Sequence, residues 1–337
     1  SMAKLGARTF RYDSRPPIAA GAAIVGPKEG EGPLGGYFDE VVDDDYLGKD
    51  TYEQAEAELM TRAAHLAMKK ARMKPDELNA MLGGDLEQQI LAASITARTL
   101  GAGFIGLYGA CSTIAESLIV GAALVDAGQL SNALCITSSH FATAEREFRF
   151  PQELGNQRTP SAQWTVTGAG ALVLDCRAKP LARVELGTVG RVIDYDVPDA
   201  NHMGAAMAPA AADTLLTHFE DSGRGPSDYD LIATGDLGVI GRGLLIDLMK
   251  KRGMPLIEER YIDCGAQMFS PDQDVHAGGS GCACLASVFS AVLLGKLSAR
   301  ELKRILIIGT GALLSPVSAL QGESIPSIAH ALSIECP

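Results

Sequence analysis

Two segments of this chain could form helices with almost no charge on any side, and that restricts the fold more than any other feature. Residues 111–128 hold only Glu116 and Asp126 as charged residues, and residues 281–295 on the apolar side of Lys296 hold none. A helix that is apolar or small-sided all round must be buried all round. No apolar run in the chain is long enough to span a bilayer, so protein has to supply the cover. An ordinary doubly wound domain leaves one side of each helix layer facing water. Two fully covered helices instead call for a helix layer held between two sheets. The expected class is therefore α/β, as a five-layer α-β-α-β-α sandwich.

The remaining pattern agrees with two copies of one unit. Strands are read at 22–25, 78–83, 103–107, 133–137 and 169–174, with helices at 52–73, 88–100 and 112–127. A Gly-, Pro- and acid-rich stretch, 26–50, reads as a loop. The order then recurs, with strands at 183–189, 231–233, 260–264, 304–308 and 329–334 and helices at 206–220, 243–251 and 281–294. Gly84-Asp85-Leu86 follows the second strand of the first half, and Gly235-Asp236-Leu237 follows the second strand of the second. Leu118, Val125, Gly128 and Leu130 align without gaps on Leu285, Val292, Gly295 and Leu297. With 337 residues the chain exceeds the size of a single growing core. The expected halves are 1–180 and 181–337.

Charge and cysteine usage narrow the class of function. The formal net charge is -12, which argues against a nucleic-acid surface and against broad attraction to anionic lipid. Seven cysteines without a CxxC pair do not make a disulfide framework. The six histidines show no zinc-ligand spacing, so no metal site and no cofactor are expected.

Chemistry concentrates at a few turns. Cys111, in Gly109-Ala110-Cys111-Ser112, sits where a short strand enters the first apolar helix. A helix N-terminus favours thiolate, so Cys111 is either an activated nucleophile or a small buried cysteine. His276-Ala277-Gly278-Gly279-Ser280-Gly281 enters the matching helix. The repeat sets His276 opposite Cys111, and Gly278, Gly279 and Ser280 can form an anion nest or a plain structural turn. Asp85 and Asp236 either line a shared cleft or cap helices. His140 ends a strand. Arg146 and Arg149 can bind carboxylates or form a solvated face. Gly309-Thr310-Gly311-Ala312 reads as a glycine loop, too short for a nucleotide fingerprint.

These elements together resemble the thiolase superfamily. Along nearly the whole chain, the stretches GACSTIAES, TSSHFATAEREFRFP, MGAAMAPAAADT, TGDLG, PDQDVHAGGSGCAC, GALLSP and ESIP are similar to the stage V sporulation protein AD family. That resemblance implies a spore-forming bacterium and a thiolase fold without established catalysis, with Cys111 and His276 as vestigial residues. It implies binding of dipicolinic acid (pyridine-2,6-dicarboxylate), for uptake into the developing spore and release on germination, and leaves open whether calcium accompanies the ligand. It further implies membrane-embedded stage V sporulation partners and a peripheral place at the inner spore membrane. The thiolase likeness also implies a homodimer, paired through strand 133–137. The expected ligand site comprises Asp85, Cys111, Ser112, His140, Arg146, Arg149, Asp236, His276, Gly278, Gly279 and Ser280. The alternative is an active acyltransferase with a Cys111–His276 dyad. Against it, Asp236 stands where ketoacyl synthases place a histidine, and residues 309–313 lack the second cysteine of biosynthetic thiolases.

Overall fold

Ten principal strands form one continuous sheet in a computed structural model that describes residues 4–148 and 158–337. In chain order they are β1 (Pro17–Val25), β2 (Ala80–Gly84), β3 (Gly103–Gly106), β4 (Asn132–Ser139), β5 (Gly168–Asp175), β6 (Ala182–Thr188), β7 (Leu231–Thr234), β8 (Tyr261–Asp263), β9 (Arg304–Ala312) and β10 (Ser327–Glu335). Their order across the sheet is β8-β7-β9-β10-β6-β1-β5-β4-β2-β3. Outward from the β6–β1 junction, each side runs through the first, fifth, fourth, second and third strand of its own half. At the junction Pro17 and Ile18 pair antiparallel with Arg183 and Ala182.

Side-chain alternation shows why the sheet is covered on both faces. In β4, Ala133 and Cys135 join the central core, while Leu134 and Ile136 pack under the helices Tyr52–Lys70 and Leu91–Leu100. In β9, Ile305 and Ile307 point to the centre, while Leu306 and Ile308 meet the core beneath Met203–Ser222 and Gly238–Lys251. A strand apolar at every position is buried on both faces. The two all-apolar segments fill the central layer. Thr113–Asp126 packs on β2 and β4 on one side and on β9 and β10 on the other. Cys282–Val288 continues through a π-helical turn, Phe289–Leu293, into Leu294–Ser298. The result is the expected five-layer sandwich.

Two expectations are corrected. Strand 133–137 lies inside β4, which is paired on both sides, by β5 and by β2. It has no free edge to offer a second copy; the open edge on that side is β3. The glycine loop at 309–312 is the end of β9. The charged stretch after His140 forms a helix, Phe141–Phe148, with Thr143 and Ala144 buried.

Candidate functional site

Cys111 is the middle residue of a 3-10 turn, Ala110–Ser112, that leads into Thr113–Asp126. Ala110 takes a left-handed φ of 51°, and the Ser112 hydroxyl donates back to the Gly109 carbonyl at 2.5 Å. The Cys111 thiol lies close enough to Asp236, from the segment after β7, to feel the charge of its carboxylate. Asp236 is itself fixed. Thr310 Oγ1 donates to its Oδ1 at 2.7 Å, and the Gly281 N–H donates to its Oδ2 at 3.0 Å. Two glycines make this approach possible. Gly281 sits at φ 108°, and a Cβ there would come within 2.7 Å of Ser139 Oγ. A Cβ on Gly311 would meet the Gly109 carbonyl oxygen at 2.6 Å.

The electrostatics run opposite to nucleophile activation. Burial, followed by the charge of Asp236 and by Cys282, pushes the Cys111 thiol well above its ordinary range, and the Gly281 N–H does not offset this. The expected lowering by the helix N-terminus is overridden, because a buried thiol facing a carboxylate loses more from ionisation than a helix end returns. Burial likewise raises the Asp236 carboxyl to about 7, against the hydrogen bonds from Thr310 and Gly281.

The other expected residues divide into those near this centre and those away from it. His276 makes no hydrogen bond with Cys111. It occupies a left-handed position on an exposed turn, φ 57°, with Nε2 3.9 Å from Asp274, so the expected dyad is not formed. Gly278 and Gly279 are not an open nest. The Gly278 N–H donates to the Val275 carbonyl at 3.4 Å and the Gly281 N–H to Asp236 Oδ2 at 3.0 Å, and the short strand Gly279–Ser280 pairs with Trp164–Thr165. Asp85 is a structural acceptor, taking the N–H groups of Glu87 and Ala93 at 2.8 Å each. His140 is buried and ties the 26–50 loop down through Nε2 to the Asp45 carbonyl at 2.8 Å; burial lowers its pKa. Arg146 is spent on Glu53 at the surface. Arg149 lies outside the described residues.

A cavity of about 250 Å³ opens over Cys111. Leu86, Tyr108, Phe148, Met203 and Leu314 give it an apolar wall, and Thr165, Ser280 and Ser315 bring hydroxyls. Glu145 also lines it, and no lysine, arginine or histidine does among the described residues. Arg158 reaches Glu145 at 3.2 Å from outside the lining. Thr310 and Gln163, whose Nε2 donates to the Asp236 carbonyl at 2.7 Å, were not legible as site residues. Thr310 carried a signal in its flanking glycines, which mark close backbone approach.

The family description "Stage V sporulation protein AD" matches residues 6–335. The chain belongs to that family. The stage V sporulation protein AD of Bacillus subtilis (strain 168) is 42% identical over 330 residues, covering 98% of this chain and 97% of the relative. This is therefore a sporulation protein. Solved structures similar in fold include a variant of OleA from Xanthomonas campestris (TM-score 0.62, 15% identity, 95% of this chain and 96% of that one). Human mitochondrial 3-ketoacyl-CoA thiolase is similar at TM-score 0.58 and 13% identity, over 96% of this chain and 99% of that one. The 3-oxoacyl-[acyl-carrier-protein] synthase III of Aquifex aeolicus gives 0.57 and 13%, over 95% and 99%. At these identities the likeness concerns the thiolase-type fold alone. No helix among the described residues is long and apolar enough to cross a membrane.

Proposed function

We propose that this protein is a non-catalytic binding protein that takes dipicolinic acid into the cavity over Cys111, and that it serves the uptake of that acid into the spore and its release. The observation that carries the reading is the partner of the thiol. Cys111 faces a carboxylate instead of an imidazole, so the centre holds a thiol and repels the oxyanion that a condensing enzyme must stabilise. What remains is an apolar slot with hydroxyls at its wall, suited to a flat ring bearing polar groups. The ligand's identity comes from the family resemblance. Glu145 is already matched by Arg158, and no cation lines the slot among the described residues, so the acid enters with its charge compensated, and calcium in the complex strengthens binding. Docking to membrane-embedded stage V partners at the inner spore membrane belongs to the same reading.

Calorimetry with dipicolinate, with and without calcium, tests it. Ala144 is buried on the helix Phe141–Phe148 and lines the cavity. Ala144→Phe fills the slot and is expected to weaken binding at least about tenfold, or about 1.4 kcal/mol. His276→Ala, outside the lining of the slot, leaves affinity unchanged. Equal affinity of wild type and Ala144→Phe overturns the cavity as the site. Covalent acyl transfer to Cys111 from acyl-CoA, read by intact mass, overturns the non-catalytic assignment.

The dimer is assigned to β3 in place of β4. All four residues of β3 are exposed, with Phe104 and Ile105 at 37% and 38%, and an open apolar strand edge invites pairing. Light scattering is expected to give a dimer mass at micromolar concentration and a monomer for Ile105→Lys. A wild-type monomer counts against the pairing.

A further inference from the structure

Three acidic side chains lie buried together beside the cavity, apart from the Cys111 centre. Glu56 comes from the helix Tyr52–Lys70, and Asp85 and Glu87 from the segment after β2. One oxygen from each lies within 4.8 Å of the others. Residue exposures are 0% for Glu56, 0% for Asp85 and 4% for Glu87. None of the three forms an ion pair with a lysine, arginine or histidine among the described residues.

Two of the three are held by neutral donors. Ser138 Oγ and Thr143 Oγ1 donate to the two oxygens of Glu56 at 3.0 and 2.9 Å. The N–H groups of Glu87 and Ala93 donate to the two oxygens of Asp85. Glu87 is different: both of its carboxylate oxygens are buried and neither has a hydrogen-bond partner. Half-buried Glu147, on the helix Phe141–Phe148, adds further negative charge nearby. An unpaired buried carboxylate is costly, and several together more so. A proton shared between two of them would relieve one contact and leave other Glu87 lone pairs unused. A cation would satisfy all three side chains at once.

We propose that Glu56, Asp85 and Glu87 form a binding site for a divalent cation of the calcium class. The donor set contains only oxygen, with no histidine or cysteine ligand, which selects a hard ion. Glu87 has both oxygens free to chelate, and bidentate carboxylates are characteristic of calcium. The remaining lone pairs of Glu56 and Asp85 supply single ligands, oriented by the hydrogen bonds they already accept. Asp85 and Glu87 flank Leu86, which lines the cavity, so the ion would brace one wall of the slot. The site rests on these residues and not on the identity of the organic ligand.

The test uses the full chain, stripped with a chelator and free of dipicolinate. Calorimetry with calcium chloride is expected to show one saturable site per chain, and calcium is expected to raise the thermal midpoint. Glu87→Gln, which breaks no hydrogen bond made by that carboxylate, should weaken calcium binding at least about tenfold and remove the thermal shift. Asp272→Asn, on an exposed turn, should change neither. Absence of saturable binding by the wild type at millimolar calcium, manganese or magnesium overturns the site and leaves protons as the neutralising charges. Unchanged calcium affinity in a folded Glu87→Gln chain places any bound ion elsewhere and overturns it as well. The wild-type titration decides the matter even where the variant does not fold.

Discussion

Glu185→Ala is expected to destabilise the protein by about 3–5 kcal/mol at neutral pH, the usual loss when one member of a buried ion pair is removed. Glu185 lies on β6, next to the junction between the halves, and is 3% exposed. Arg224 grips both of its oxygens, at 2.6 and 2.8 Å. Ser333 on β10 donates to it at 2.8 Å, and Arg304 on β9 approaches to 3.3 Å. Truncation leaves Arg224 without its carboxylate and Arg304 with only the more distant Glu335, at 4.0 Å. Burial alone would raise the Glu185 carboxyl, but the hydrogen bonds from Arg224 and Ser333 and the charges of Arg224 and Arg304 win and hold it at about 2. A carboxyl whose folded pKa lies below its unfolded value of about 4.3 contributes stability above that value and loses it as pH falls toward the folded one. The difference between Glu185→Ala and wild type should therefore shrink between about pH 4 and pH 2. Denaturant titrations at pH 7 and pH 3 measure it. A loss below about 1 kcal/mol at pH 7 would show that the cluster contributes little net stability.

The layers of this fold were legible because burial leaves a mark that one sequence can carry. Residues 111–128 and 281–295 needed cover on every side, and in the structure the sheet halves supply it. Continuous apolar runs such as Leu134–Cys135–Ile136 in β4 were read as strands, and their two-sided burial follows from the same cover. The site was legible only in part. Cys111 and Asp236 were both singled out, and the resemblance set Asp236 where ketoacyl synthases have a histidine; its fixing by Thr310 and the Gly281 N–H was not legible, because it depends on how strand ends meet across the central layer. His276 was misplaced for the same reason. The repeat fixes which turn it belongs to, whereas the left-handed backbone at His276 decides where the ring points. Thr310 was read as part of a glycine loop because two glycines in four residues look like a turn; here they allow a strand to lie against the Gly109–Ser112 turn. Arg146 illustrates the opposite error. An exposed cation near a site is attractive on paper, but Glu53 one helix away claims it.

Asp236→Asn is expected to make Cys111 at least about tenfold more reactive toward iodoacetamide at pH 8, since each pKa unit removed from a thiol is a factor of ten in thiolate. In the wild type the carboxylate opposes the thiolate by its charge, on top of burial. Asparagine removes that charge, while burial and the Gly281 N–H stay in place. The substitution also costs about 1–3 kcal/mol, because the side chain must present an N–H₂ to one of two donors, Thr310 Oγ1 or the Gly281 N–H. A second signature separates charge from simple loosening. Asp236 has a folded pKa of about 7, above an unfolded value of about 3.9. The folded state therefore holds this proton more tightly, and the group's contribution to stability falls as pH rises from about 4 to about 7 and is level beyond. In Asp236→Asn that part of the slope disappears. Peptide mass mapping after timed alkylation reads Cys111 separately from exposed Cys176, which should label rapidly in both proteins. Should Cys111 remain as inert in Asp236→Asn as in the wild type, burial alone silences the thiol, and the carboxylate is there to hold Thr310 and Gly281 against the cavity floor.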